Sequence, residues 1–261
     1  MTGHETTTAV MVSDDAAWTD LLAWLRQADD LNDPAEVFRA YAKHLEAAGS
    51  PDPKAELGIV LRLMRTRPDA WPLMFDKIYR SAAPRFNPAP NALVRAAISG
   101  RPAGRALEVA MGQGRNAVAI AKAGWDVTGL DVSPEGLAIA AGEAARAGVP
   151  LRTVQAPFDR FDYGDAQWDL IAMIYGPGVI ATKPFAARLI AALKPGGIVV
   201  VESFASPATA QNRRPVDIDP RELLAAFDGC RIRRFEDTDD VTDWTPQTTS
   251  LVRLIAEKPL S

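Results

Sequence analysis

The chain is poor in the residues that cross-link proteins or hold metals. Of its 261 residues one is cysteine, Cys230, and two are histidine. A single thiol excludes an internal disulfide and fits a reducing compartment, where its expected state is buried and inert. Without a close-spaced Cys/His cluster no metal site is expected. Positive charge is not concentrated either. The formal net charge is −4 and there is no basic block, so a nucleic acid, which needs a positive stripe, is not an expected partner. No apolar run approaches the ~20 residues of a membrane-spanning helix, so no membrane partner is expected. The opening MTGHETTTAVMVSDD lacks a basic segment ahead of its short apolar patch; a secretory leader is not expected, and the expected location is cytoplasmic. Nothing indicates the oligomeric state.

What is present is the balance of a globular protein, 48% hydrophobic and 24% charged, long enough to bury one substantial core and carry an extension. After a Thr-rich start, Trp18, Leu21, Leu22 and Leu25 recur at helical spacing. Asp33-Pro34 reads as a cap and first helical residue ahead of Val37, Phe38, Tyr41 and Leu45, with Gly49 as the stop. Leu57, Leu61 and Met64 form a third stripe before Pro68. Residues 70–90, AWPLMFDKIYRSAAPRFNPAP, are rich in aromatics and prolines and predict an ordered but irregular connector. Three short amphipathic helices make an uncomfortable domain by themselves. They must pack on the domain C-terminal to them, either as a stabilising extension or as a cap over a ligand cleft.

The centre of the chain is Arg105 to Val132, RALEVAMGQGRNAVAIAKAGWDVTGLDV. An apolar run ends in Gly112 and Gly114, a helix pattern continues to Gly124, and a second apolar run ends on Asp131. Strand, glycine turn, helix, strand and acid form the first half of a nucleotide-binding unit. Glycines permit a sharp turn and let N–H groups lie against a ligand, the helix N-terminus adds partial positive charge, and the terminal acid can accept ribose hydroxyls. Alternation continues through a Ser133-Pro134 helix start, strands near 151–156 and 168–175, a helix over 183–193, the turn Lys194-Pro195-Gly196-Gly197, the strand 198–204, a helix over 221–227, and an alternating pair at 230–235 and 251–255. The unbroken apolar strands predict a parallel sheet buried on both faces. The fold class is therefore α/β, a doubly wound Rossmann-like sheet, mostly parallel, with an antiparallel C-terminal edge pair and a helical N-terminal extension. The expected division is 1–74 for the extension or cap and 75–261 for the ligand-binding domain.

Two cofactors compete for the turn. Gly112-Gln113-Gly114-Arg115-Asn116-Ala117 fits GxGxxA, which alone could be an NADP fingerprint. Against it, Glu108 brings a charge into the cleft, Asp131 would repel a 2′-phosphate with no adjoining arginine, and the chain carries no second mononucleotide half. A zwitterion with ribose and adenine suits the residues better: Glu108 attracts its ammonium, the turn passes beneath its amino-acid tail, and Asp131 holds the ribose. S-adenosylmethionine has this form.

These segments resemble class I S-adenosylmethionine-dependent methyltransferases from roughly Phe75 to Pro259. EVAMGQGRN is similar to that family's first motif, GLDVS to its second, and LKPGGIVVVESF to the segment entering strand five. The GQGRN form, FDKIY and DWTPQTTSLVRLIAEKP resemble the tellurite-resistance and thiopurine-type branch acting on small molecules. The resemblance puts Glu108, Ala110, Gly112, Gly114 and Asn116 at the methionine-moiety loop, Asp131 at the ribose acid, and Val132 beside the adenine. Pro157 and Phe158 fall on the adenine loop, and Ile174 at the end of strand four joins the cofactor set. Ala110 replaces the usual first glycine, and Pro157 replaces an acid that normally meets the adenine amino group.

Methyl transfer from a sulfonium mainly requires alignment and exclusion of water, with a base needed only for an acceptor protonated in its ground state. His4 lies in the Thr-rich start, and His44 flanks an apolar stripe as a structural residue would. Tyr175 ends strand four at the cleft rim, in Ile174-Tyr175-Gly176-Pro177, which lacks the amide or acid of nucleobase-methylating relatives. Phe75 and Tyr79 either cover the sulfonium or pack the connector on the core. Glu202, Ser203, Arg213 and Arg214 are further rim candidates, and the acidic run 236–243 has no Ca²⁺-loop spacing. Tyr175 and Tyr79 are the expected catalytic residues. The expected activity is methyl transfer to a small-molecule acceptor, the alternatives being an NADP-dependent oxidoreductase or a silent S-adenosylmethionine-binding module.

Overall fold

A computed structural model describes residues 12–82, 86–210, 213–244 and 247–260. His4 and the Thr-rich start lie outside the described residues. Among the described residues five helices precede the sheet: α1 (Asp14–Gln27), α2 (Pro34–Ala47), α3 (Pro53–Leu63), α4 (Ala70–Arg80) and α5 (Ala92–Ile98). Then come β1 (Arg105–Val109), α6 (Arg115–Lys122), β2 (Asp126–Asp131), α7 (Pro134–Ala147), β3 (Arg152–Gln155) and β4 (Trp168–Ile174). The chain continues through α8 (Lys183–Ala192), β5 (Leu193–Phe204), α9 (Pro220–Ala226), β6 (Arg231–Val241) and β7 (Thr248–Glu257).

Helix starts obey local chemistry. The side chains of Asp33, Asp52, Ser133 and Asp219 cap backbone N–H groups of α2, α3, α7 and α9, each with proline at the first helical position, where a missing N–H costs nothing. The seven strands run β3-β2-β1-β4-β5-β7-β6. The first five are parallel, and β7 joins β5 and β6 antiparallel. This is the doubly wound sheet with its antiparallel edge pair. Alternate residues feed two cores: Ala106, Leu170, Ala172, Ile198 and Val200 face one side, Leu107, Val109, Ile171, Val199 and Val201 the other. Both faces are covered, which is why these strands read as unbroken apolar runs.

Three local expectations are corrected. Residues 70–80 are helical rather than irregular. Pro72 falls in the first turn of α4, where it breaks no bond, and Trp71, Met74 and Ile78 form a buried stripe. The buried face of α3 is Glu56, Val60 and Leu63, with Met64 just beyond it, one position round from Leu57 and Leu61; Glu56 is tolerated inside because it accepts the Ser50 hydroxyl at 2.8 Å. Lys194 to Gly197 belongs to β5 as a bulge: β4 advances from Trp168 to Leu170 while β5 advances from Leu193 to Ile198. Gly196 takes the positive φ of 76° that this detour needs.

Helix α4 ties the N-terminal helices to the sheet domain and runs through positions 74 and 75. Its Met74 and Ile78 share one core with Trp18 and Leu21 of α1 and with Leu137 and Ala140 of α7. Among the described residues no helix is long and apolar enough to cross a membrane, and no group of His, Cys, Asp and Glu is placed to hold a metal.

Candidate active site

The carboxyl ends of β1, β2 and β4 open into one cleft of about 1000 Å³, its mouth included. Tyr79, Tyr175, Glu108, Ala110, Gly112, Asn116, Asp131, Val132, Pro157, Phe158 and Ile174 all line it. Gly114 does not. It caps α6 at a φ of 78°, and a Cβ there would meet the Ala140 side chain at 2.7 Å, so this glycine lets the turn pack on α7.

The turn is drawn tight by its backbone. Ala110 and Gly112 have φ of 56° and 55°; for alanine that left-handed conformation is strained by about 1 kcal/mol or more. A Cβ at Gly112 would collide with the Tyr79 hydroxyl. The Gly112 N–H donates to Asp131 Oδ2 at 2.8 Å, and the Ser133 N–H to Asp131 Oδ1 at 2.9 Å. Burial raises the Asp131 pKa, opposed by these N–H bonds. The Ser133 hydroxyl, which caps α7, also donates to Asp76 on α4.

Glu108 is 2% exposed. Its Oε1 accepts from Asn116 Nδ2 at 2.7 Å, while its Oε2 has no hydrogen-bond partner. Burial pushes its pKa up to about 7 against the opposing pull of Asn116 and Arg115. A buried carboxylate oxygen without a partner is costly unless a cation arrives to satisfy it. An ammonium group suits it, and with the glycine turn and the Asp131 carboxylate beside it, these residues fit the amino-acid tail and ribose of S-adenosylmethionine. The apolar residues Leu130, Val132, Ala156 and Ile174, with Phe158 edge-on to Phe185 at 5.7 Å, suit a flat base.

Another part of the lining is aromatic. Trp71, Phe75 and Tyr79 stack along α4 with centroids 5.8 and 5.9 Å apart. Tyr79 meets Phe86 at 5.6 Å, Phe86 meets Trp244 at 5.6 Å, and Trp244 meets Tyr175 at 5.0 Å. Pro68, Pro177 and Val216 fill the gaps. Sequence reasoning assigned Phe75 and Tyr79 a covering or packing role but passed over Trp71, Phe86 and Trp244. The spacing of Trp71, Phe75 and Tyr79 by four was the available signal, hidden by the prolines that made this stretch look irregular.

Neither candidate tyrosine presents a free phenol base. The Tyr175 hydroxyl donates to Glu202 Oε1 and accepts from the Thr242 hydroxyl, both at 2.7 Å. Its pKa is raised by burial and by the Glu202 charge. Loss of water, with Asp131 and Glu108 nearby, raises that of Tyr79. Glu202 and Ser203 are 2% and 1% exposed and internally bonded, to Arg253 Nε at 2.7 Å and to the Val216 carbonyl at 2.6 Å. Arg214 pairs with Asp217 at 2.8 Å and lies over Phe204; neither it nor Arg213 lines the cleft. His44 sits 3.3 Å from Asp20 and stacks on Tyr41, a structural arrangement within the N-terminal helices.

Residues 106–197 match the family model described as a methyltransferase domain. No curated protein matches the chain. Among solved structures it resembles TehB from Haemophilus influenzae, with TM-score 0.55 and 14% identity over 71% of this chain and 66% of that one. An S-adenosylmethionine-dependent methyltransferase from Methanosarcina mazei gives TM-score 0.54 and 16% identity over 66% of this chain and 100% of that one. The [4+2]-cyclase SpnF gives TM-score 0.53 and 20% identity over 65% and 79%. At these identities the likenesses establish the architecture, and one fold hosts more than one reaction; the reaction class comes from the family match, which lies over the strand–turn–helix–strand segment bearing the glycine turn and both acids. Residues 106–197 of the chain therefore carry a methyltransferase domain, set in an α/β architecture shared with these neighbours.

Proposed function

We propose that the enzyme methylates a small, apolar, ring-bearing acceptor held between the aromatic row and the cofactor, with helices α1 to α4 forming a cap over the acceptor. The carrying observation is that the row from Trp71 to Trp244 lines the same cleft as Glu108 and Asp131. Its lining is apolar and aromatic with a few convergent polar groups, as small-molecule sites are.

S-adenosylmethionine, when bound, supplies a methyl group on an electron-poor sulfonium, open to in-line displacement. In this reading Glu108 Oε2 takes the ammonium, the 110–114 turn supports the amino-acid tail, and Asp131 accepts the ribose hydroxyls. Val132, Pro157, Phe158 and Ile174 enclose the adenine. Tyr79 and Phe75 turn aromatic faces, favourable to positive charge, toward the reacting centre, and Tyr175 contributes its ring rather than its hydroxyl.

The ionisable side chains lining the cleft, among the described residues, are Tyr79, Glu108, Arg115, Asp131 and Tyr175. Arg115 is paired with Asp243 at 2.9 Å, the two acids lie at the cofactor end, and both phenols are raised. With no base at the acceptor end, alignment and exclusion of water carry the reaction. The favoured acceptor atom is one that is nucleophilic without loss of a proton to the protein.

The test is transfer of labelled methyl from S-adenosylmethionine to a panel of ring compounds bearing thiol, amine or hydroxyl groups, run beside charged and aliphatic analogues. Turnover of apolar ring compounds is expected. Preference for charged aliphatic acceptors overturns the acceptor class. Tight S-adenosylhomocysteine binding with no turnover across the panel overturns catalysis in favour of a binding module.

A further inference from the structure

The buried polar side chains between cofactor turn and acceptor wall form a connected set. Glu108, Asn91, Asn116, Glu202 and Thr242 are each 2% exposed or less, and buried polar groups are stable only when bonded. From the cofactor end, Asn116 donates to Glu108 through Nδ2, and its Oδ1 accepts the Asn91 N–H at 2.8 Å. Asn91 Nδ2 donates to Glu202 Oε1 at 2.9 Å and to Asp243 Oδ2 at 2.8 Å. Glu202 Oε1 also takes the Tyr175 hydroxyl; that hydroxyl takes the Thr242 hydroxyl, and Thr242 Oγ1 accepts the Trp244 N–H at 3.0 Å. A shorter link runs in parallel: Arg115, directly after the turn, donates to Asp243 Oδ1 at 2.9 Å and to the Ala89 carbonyl at 3.0 Å.

Both links converge on 242–244, the segment that presents Trp244. This segment leaves the end of a hairpin whose preceding residue, Val241, is 55% exposed. Among the described residues, the Trp244 ring and these polar bonds tie it to the body. A hydrogen bond to a charged group contributes about twice what a neutral one does. A change at the turn of a few such bonds is enough to shift a loop between held and released populations.

We propose that Thr242 and Asp243 are positioning residues that couple the acceptor wall to the cofactor turn, so that an occupied turn, through Arg115 and Asn116, holds Trp244 across the acceptor end. The proposal rests on the cofactor reading of Glu108 and the 110–114 turn. It makes binding ordered, cofactor before acceptor, and gives the hairpin end a function beyond closing the sheet.

The experiment measures amide hydrogen exchange at 242–244 with and without saturating S-adenosylhomocysteine, with calorimetry of the same ligand, in the wild type, Thr242→Val and Asp243→Ala. In the wild type the ligand is expected to slow exchange there at least fivefold. Both variants are expected to bind it within threefold of wild type yet lose most of that slowing. Unchanged exchange in a wild type that binds the ligand overturns the coupling and leaves the cofactor reading intact, as does full slowing in either variant. A wild type that does not bind S-adenosylhomocysteine overturns the cofactor reading and the coupling with it. The wild-type comparison stands even where a variant fails to fold.

Discussion

The Gly112 N–H donates to Asp131 Oδ2 at 2.8 Å, which joins the turn after the first strand to the acid ending the second. The turn is therefore shaped by the residue proposed to hold the ribose. Asp131→Ala removes both the ribose acceptor and the anchor of the turn, and Glu108→Ala removes the ammonium partner. Each is expected to weaken S-adenosylhomocysteine binding more than tenfold, about 1.4 kcal/mol or more, by calorimetry. Unchanged affinity in both variants would sink the site assignment.

Glu108 makes that binding depend on pH. Its folded-state pKa is pushed up to about 7 from the ordinary carboxyl value of 4.5, so the ligand-free protein holds a proton there that the unfolded chain has released. Stability from this group is present below about pH 4.5 and declines as pH rises toward 7. A cationic ligand needs the ionised form, so affinity moves the other way. S-adenosylhomocysteine should bind about tenfold more tightly at pH 8 than at pH 6. Glu108→Gln should bind weakly with a flat profile over that range. A flat wild-type profile would mean that Glu108 does not meet the ammonium.

The parallel sheet and both acids were legible in the sequence because each signal is local. The strands are unbroken apolar runs, and Glu108, Gly112 and Asp131 lie within one strand–turn–helix–strand segment. The acceptor wall was not legible. Trp71 and Phe86 come from α4 and the segment after it, Trp244 from the far end of the chain, and their meeting depends on tertiary packing. Asn91 meets Glu202 across 111 positions, and nothing in the local pattern marks either as a partner. Tyr175 was found by its place at a strand end, yet that place did not disclose that its hydroxyl turns into the polar network.

Trp244 should separate acceptor from cofactor binding. It touches Phe86, Tyr175 and Phe204 and lines the same cleft as the acids. Trp244→Leu keeps an apolar side chain but loses the ring face. On an acceptor drawn from the panel, KM is expected to rise at least tenfold while S-adenosylhomocysteine affinity stays within threefold. Equal losses in both would show that the residue supports the whole site rather than the acceptor wall.

Pro157 offers a gain rather than a loss. It stands where related enzymes have an acid for the adenine amino group, and its carbonyl already accepts the Arg160 and Phe161 N–H groups at 3.1 Å, so the turn has support that does not depend on the pyrrolidine ring. Pro157→Asp adds an acceptor at the cleft wall without asking the backbone for a new conformation. One added hydrogen bond contributes about 0.5–1.5 kcal/mol to the affinity, whereas the added freedom of the unfolded chain lowers stability alone. S-adenosylhomocysteine is therefore expected to bind three- to tenfold more tightly to the variant, with a melting temperature slightly lowered in the free protein. Adenosine itself should gain by a similar factor, because the new contact is to the base. If neither ligand gains, the adenine does not lie against Pro157, and the orientation proposed for the cofactor is wrong at that end.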